Sequence, residues 1–132
     1  MANANIKVVA ILSILVFLQA SCTAGRHLRG TPAVMPLHGF QQGQASCDGK
    51  YHSNSLFLVS LNSGWYGGGI RCGKMIRIRS PGGPTVEAMV LDECEIRGGC
   101  GHHEMGTSIA VWNALGIDPS AGPVSVTWSY LN

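Results

Sequence analysis

The clearest signal along the chain is alternation. Met75-Ile76-Arg77-Ile78-Arg79 places Ile76 and Ile78 on one face and the arginines on the other, which predicts a half-buried strand. Pro81-Gly82-Gly83-Pro84 supplies a turn, and Thr85 to Leu91 resumes with Val86, Ala88 and Val90 inward, completing a hairpin. Val124 to Tyr130 alternates in the same way. Ser55 to Leu61 is a further apolar run that ends at Asn62-Ser63-Gly64. One helix interrupts this pattern. Thr107 or Ser108 is positioned to cap it, Ile109, Trp112 and Leu115 share a face, and Gly116 stops it. Trp112 and Trp128 fall on the apolar faces of their elements and belong to the core. Gly67-Gly68-Gly69 lacks the spacing and flanking elements of a phosphate loop and reads as a flexible loop. Short strands, many glycines and one helix predict a small closed β-barrel.

The first 45 residues show neither periodicity. Lys7 precedes the apolar run Val8 to Leu18, and small residues follow at Ala20 to Ala24, the order of a secretory signal peptide. The run is about half the roughly 20 residues of a membrane span. Residues 1–24 are therefore expected to be a signal, 25–45 a flexible arm broken by glycine and proline, and 46–132 the folded domain. No membrane association is expected once the signal is removed.

Composition narrows the function. Of 132 residues only 12% are charged, and 9 basic side chains against 7 acidic give +2. This is too little for a nucleic-acid surface, and the hydrophobic content excludes a disordered chain. Five cysteines are an odd number for an oxidising compartment, but loss of Cys22 with the signal leaves Cys47, Cys72, Cys94 and Cys100. Four cysteines allow three pairings. A zinc site from Cys94, Cys100, His102 and His103 is the rival reading, disfavoured because adjacent histidines converge poorly on one metal. No cofactor or metal is expected.

Several words of the sequence carry a resemblance. Ser46-Cys47-Asp48-Gly49-Lys50-Tyr51-His52-Ser53, Ser63-Gly64-Trp65-Tyr66-Gly67-Gly68-Gly69 and Arg71-Cys72-Gly73-Lys74 open it. Val90-Leu91-Asp92-Glu93-Cys94, Gly99-Cys100, Ala110-Val111-Trp112-Asn113-Ala114-Leu115-Gly116 and Val124 to Ser129 continue it. Over residues 46–131 the chain resembles the plant kiwellin and ripening-related proteins. The resemblance implies a mainly β fold, a six-stranded, disulfide-stabilised double-psi β-barrel shared with barwin, expansins and family-45 endoglucanases. It also implies secretion to the apoplast and a role in defence or fruit ripening. By barwin analogy Cys47 pairs with Cys72, which leaves Cys94 with Cys100. The segment between Cys100 and the helix is shorter than in the family, and Gly106 stands where relatives carry an aspartate.

That glycine bears on catalysis. Glycoside hydrolysis generally uses two carboxylates, one with a raised pKa. Asp92 and Glu93 are neighbours on a strand and point to opposite faces, so they cannot serve one bond. Asp92 reads instead as an acceptor of backbone N–H groups, and Glu104 as part of a solvated loop. The H-x-E of His102-His103-Glu104 lacks the downstream P-C-x-x-C of zinc deaminases. His52 reads as a structural hydrogen-bonding residue. Candidate binding residues are Trp65, Tyr66, Arg71, Asp92, His102 and His103, with Trp65 and Tyr66 offering aromatic contact area. The expectation is a monomeric, non-enzymatic binding protein whose partner is an extracellular protein, a pathogen effector included, or a cell-wall glycan. The alternative is a wall-active lytic or hydrolytic enzyme on the same barrel.

Overall fold

The structure is a computed structural model that describes residues 30–131; the expected signal peptide, Cys22 with it, lies outside the described residues. The barrel unit begins at Thr31. Its strands are β1 (Thr31–Met35), β2 (Leu58–Asn62), β3 (Met75–Arg79), β4 (Thr85–Cys94), β5 (Met105–Thr107) and β6 (Val124–Tyr130). They form one sheet in the order β1-β6-β3-β4-β2-β5. All pairings are antiparallel except β2 with β4, which is parallel. The ends of the sheet meet where Val34 N–H donates to the His103 carbonyl at 2.8 Å and His38 N–H to that of Thr107 at 2.8 Å. Helix α1 (Ile109–Ala114) and a single helical turn, Ser63–Tyr66, complete the fold. The result is the six-stranded double-psi barrel. Among the described residues no helix is long and apolar enough to cross a membrane.

Alternation fills the interior. Ile76, Ile78, Ala88, Val90, Val126 and Trp128 point inward from their strands, meeting Val59 and Leu61 of β2 and Met105 of β5. The predicted helix face needs correction at one position. Val111, Trp112 and Leu115 are buried, whereas Ile109 is exposed. Ile109 opens the helix directly after the buried Thr107 and Ser108, and its side chain turns outward. Ser108 occupies the N-cap position, yet its hydroxyl donates to the Leu56 carbonyl at 2.6 Å rather than capping α1. Gly67–Gly69 is a 3-10 turn rather than an open loop, entered through Gly67 and Gly68 at positive φ.

The expected arm is the larger correction. Residues 31–35 are a barrel strand, paired along its whole length with β6. Ala33 and Met35 alternate into the core, and the chain beyond them buries Phe40 and Ala45. The folded domain therefore starts before Ser46. Pro32 and Pro36 hid the strand, because proline reads as a breaker although it is tolerated where a strand needs no N–H bond. Pro32 sits at such a position.

A β-bulge shapes the outer face. The β2–β4 register runs Val59↔Val90 and then Ser60↔Asp92, so Leu91 is the extra residue. Leu91 packs with Phe40, Ala45 and Leu58 in a small second core. Residues 38–47 thus cover the outside of β5-β2-β4.

If β1 is structural, Met35→Ala should lower stability by about 2–5 kcal/mol, the usual cost of a fully buried methionine truncation. Thermal denaturation measures it. A chain beginning at Ser46 should lose cooperative unfolding altogether, and retention of a sharp transition would return residues 31–45 to the status of an arm.

Candidate functional site

Trp65 is placed by a buried amide. Asn62 ends β2 at 1% exposure. Its Oδ1 accepts the Trp65 N–H at 3.0 Å, which starts the helical turn. Its Nδ2 donates to the carbonyls of His102 at 2.8 Å and Glu104 at 3.2 Å. One side chain therefore fixes Trp65 and the 102–104 loop in relation to each other. Between them lies a mainly apolar cleft of about 530 Å³, walled by Thr31 to Val34 of β1, Ser125 and Val126 of β6, Trp65 and His103.

Rings continue from this cleft in a row. His103 lies 6.1 Å from Trp65, Trp65 meets Trp128 edge-on at 5.1 Å, and Trp128 meets Tyr130 at 4.9 Å. The Arg71 guanidinium closes the row, 4.7 Å above Tyr130. Tyr66 does not join it. It is buried, and its hydroxyl donates toward Cys72 Sγ at 3.4 Å. Burial, followed by the Glu93 and Asp92 carboxylates, pushes its pKa up. The expectation of two paired aromatic contacts is corrected to one: consecutive residues on a helical turn differ by about 100° in direction, so Trp65 reaches the cleft and Tyr66 the core.

The cysteines are joined as Cys47–Cys72 and Cys94–Cys100, each with Cα atoms 5.6 Å apart. The sulfurs of Cys94 and Cys100 lie beside the Glu104 carboxylate. Bonded sulfur offers no thiolate, so that cluster is no zinc site. His102 is exposed and contributes through its carbonyl. His52 accompanies Asp48 at 2.8 Å.

Asp92 belongs to a different neighbourhood. Its Oδ1 accepts from Ser46 N–H and Oγ, both at 2.8 Å, and from Glu93 N–H at 2.9 Å. Its Oδ2 lies 3.0 Å from His38 Nε2. Burial alone would raise the pKa, but the His38, Ser46 and Glu93 hydrogen bonds outweigh it and hold the carboxyl at about 2. His38 then leans across Gly106. A Cβ built there would stand 2.9 Å from His38 Cβ. Asp92, Ser60 and Gly106 form one cross-strand row, and His38 lies over the Gly106 end and reaches the Asp92 end. Sequence reasoning missed both His38 and Asn62. Glu93 is elsewhere, in a hollow with Ser63, Glu95, Ile96 and Arg97.

A family model described as Kiwellin-1 matches residues 23–131. The chain belongs to the kiwellin family. It is 41% identical to ripening-related protein 6 of Oryza sativa subsp. japonica, over 96% of this chain and 98% of that one. It is 43% identical to kiwellin of Actinidia chinensis var. chinensis, over 75% of this chain and 54% of that protein. Against ripening-related protein grip22 of Vitis vinifera the identity is 46%, over 75% and 52%. The chain thus spans about half the length of the last two relatives. Among solved structures, an expansin of Clavibacter michiganensis matches with TM-score 0.64 at 24% identity, over 77% of this chain and 50% of that one. A papain inhibitor from Streptomyces matches with TM-score 0.59 at 20% identity, over 80% and 98%. These two show the shared barrel.

Two outcomes follow for the Asp92 neighbourhood. Because its folded pKa is depressed below 3.8, the stabilisation is present above about pH 4 and is lost as pH falls through about 2. Asp92→Asn should therefore be less stable than wild type near neutral pH, with the gap closing toward pH 2 in urea titrations. Gly106→Asp should cost about 1–3 kcal/mol by overpacking against His38, and His38→Ala in the same chain should recover part of that loss.

Proposed function

We propose that the chain is a secreted, non-enzymatic binding protein that receives an extracellular glycan or protein segment in the cleft between Trp65 and His103. The observation that carries this reading is the combination of a rigidly held, half-buried indole in an apolar cleft with a carboxylate system unsuited to proton donation. A general acid for glycoside cleavage needs a raised pKa, and Asp92 has a lowered one with four hydrogen bonds to lose. Gly106 stands where the family resemblance implies an aspartate, and His38 occupies the space such a side chain would need. Export to the apoplast rests on the signal-like residues 1–24 together with two disulfides, which persist in oxidising compartments.

Both partner classes have support from proteins of the same fold. One matched structure is a Clavibacter michiganensis expansin in complex with cellohexaose, and another is the papain inhibitor. Trp65 provides a ring face for a sugar or a pocket wall for a protein side chain. The second reading, a wall-active lytic enzyme, is favoured only by the likeness to expansin.

Incubation with β-glucans and peptidoglycan separates the two: the binding protein releases no new reducing or anhydro ends, and their time-dependent appearance would establish the enzyme. A partner is obtained by affinity capture on the secreted protein from plant apoplast and pathogen secretomes. Against it, Trp65→Ala should cost about 2 kcal/mol or more of binding free energy, as expected for a central aromatic anchor. His103→Ala, at an exposed ring, should weaken binding less and leave the thermal midpoint in place.

A further inference from the structure

The seam that closes the barrel is shorter than the strand beside it. Strand β1 pairs with β6 from Thr31 to Met35, but its other edge meets the 104–107 segment only through bridges at Val34 and at Leu37 just beyond it. Strand β5 is three residues long, and the chain before it turns away at Gly101, whose carbonyl accepts the Glu104 N–H at 3.1 Å. Thr31 to Ala33 therefore have no strand on that edge among the described residues. The main-chain groups they present there follow from the register. Val34 N–H points away from β6, since it donates to the His103 carbonyl. Alternate residues of a strand turn their N–H and C=O to the same side. Pro32, two residues back, aims its carbonyl the same way and, having no N–H, offers an acceptor alone. The cleft lies along this edge, with Thr31 to Val34 as one wall and Trp65 and His103 across from it.

We propose that the cleft takes an extended peptide segment, added to the edge of β1 as a short further strand, with one neutral apolar side chain lodged against Trp65. This rests on the reading of the Trp65 and His103 cleft as a binding site, and names which of its two ligand classes fits. A sugar needs in-plane partners for its hydroxyls, and the walls hold no carboxylate, carboxamide or guanidinium. Ala33, Val34, Val126 and the Trp65 ring suit an aliphatic or aromatic side chain instead. His103 is the one ionisable residue of the walls, so a charged side chain entering there would be desolvated with little to compensate it. The Pro32 carbonyl supplies the main-chain contact, accepting an N–H of the incoming segment as sheet edges do when they capture peptides. Pro32 also decides against a second copy of this chain. Two β1 edges paired about Pro32 would face carbonyl to carbonyl, the use of proline by which exposed edges avoid pairing with themselves.

NMR titration of the folded, secreted protein tests the proposal, read at the Trp65 indole N–H and at the Thr31, Ala33 and Val34 amides. The probes are a blocked pentapeptide, acetyl-Ser-Val-Phe-Val-Ser-amide, its two analogues N-methylated at alternate amides, and cellohexaose. The parent peptide should shift all of these signals. One analogue should bind at least about tenfold more weakly, because its methyl groups meet β1 where an N–H is required, while the other stays within about threefold of the parent. No shift with the parent peptide, or equal weakening by the two methylation patterns, overturns the proposal. If cellohexaose shifts the same signals and the peptide does not, the proposal fails and the cleft remains a binding site; silence from both ligands removes the cleft as well. The same shifts on raising the protein concentration alone would assign the edge to a second copy and also overturn the proposal.

Discussion

Strand β2 is buried at all five of its residues, and this constraint organises the molecule. It pairs with β4 on one edge and β5 on the other, Val59 and Leu61 face the barrel interior, and Leu58 faces the small outer core. A polar side chain on such a strand has no water to turn to: Ser60 Oγ is buried without a hydrogen-bond partner among the described residues, whereas Asn62 finds its partners inside the protein. Asn62 does so by spending its amide on three backbone groups from two separate segments. The cleft geometry is a by-product of that requirement. The backbone on both sides of the cleft is thereby fixed, which on the proposed reading lowers the ordering cost of binding.

A second set of links ties the outer segment to the same strands. Asp92 takes two hydrogen bonds from Ser46, Cys47 N–H donates to the Leu91 carbonyl at 3.1 Å, and Cys47 is bonded to Cys72. The β-bulge is what makes this possible, because it puts Leu91 and Asp92 in succession under the segment that needs anchoring. The Asp92 carboxylate fastens the outer segment at Ser46 to β4.

The long elements were legible in the sequence because their alternation survives over five to seven residues. β3, β6 and the start of β4 needed no tertiary information, and the kiwellin words located the barrel. The remainder was hidden for identifiable reasons. β1 carries only two inward residues between two prolines, and β5 is three residues long with a glycine at its centre, too short for any period to register. Asn62 reads as a turn residue, and its role depends on carbonyls some 40 residues away. His38 lies in a stretch without pattern, 54 residues from its carboxylate. The cleft itself draws on four separate stretches of chain, so only strand register could bring them together.

The contact between His38 and Gly106 ties two distant positions of the chain together. An acidic side chain at 106 and the imidazole lying over it compete for the same volume, so an acid there requires His38 to move. With the histidine in place, no single substitution at 106 introduces an acid without displacing its neighbour. The two positions are thereby coupled, and what one tolerates depends on what stands at the other.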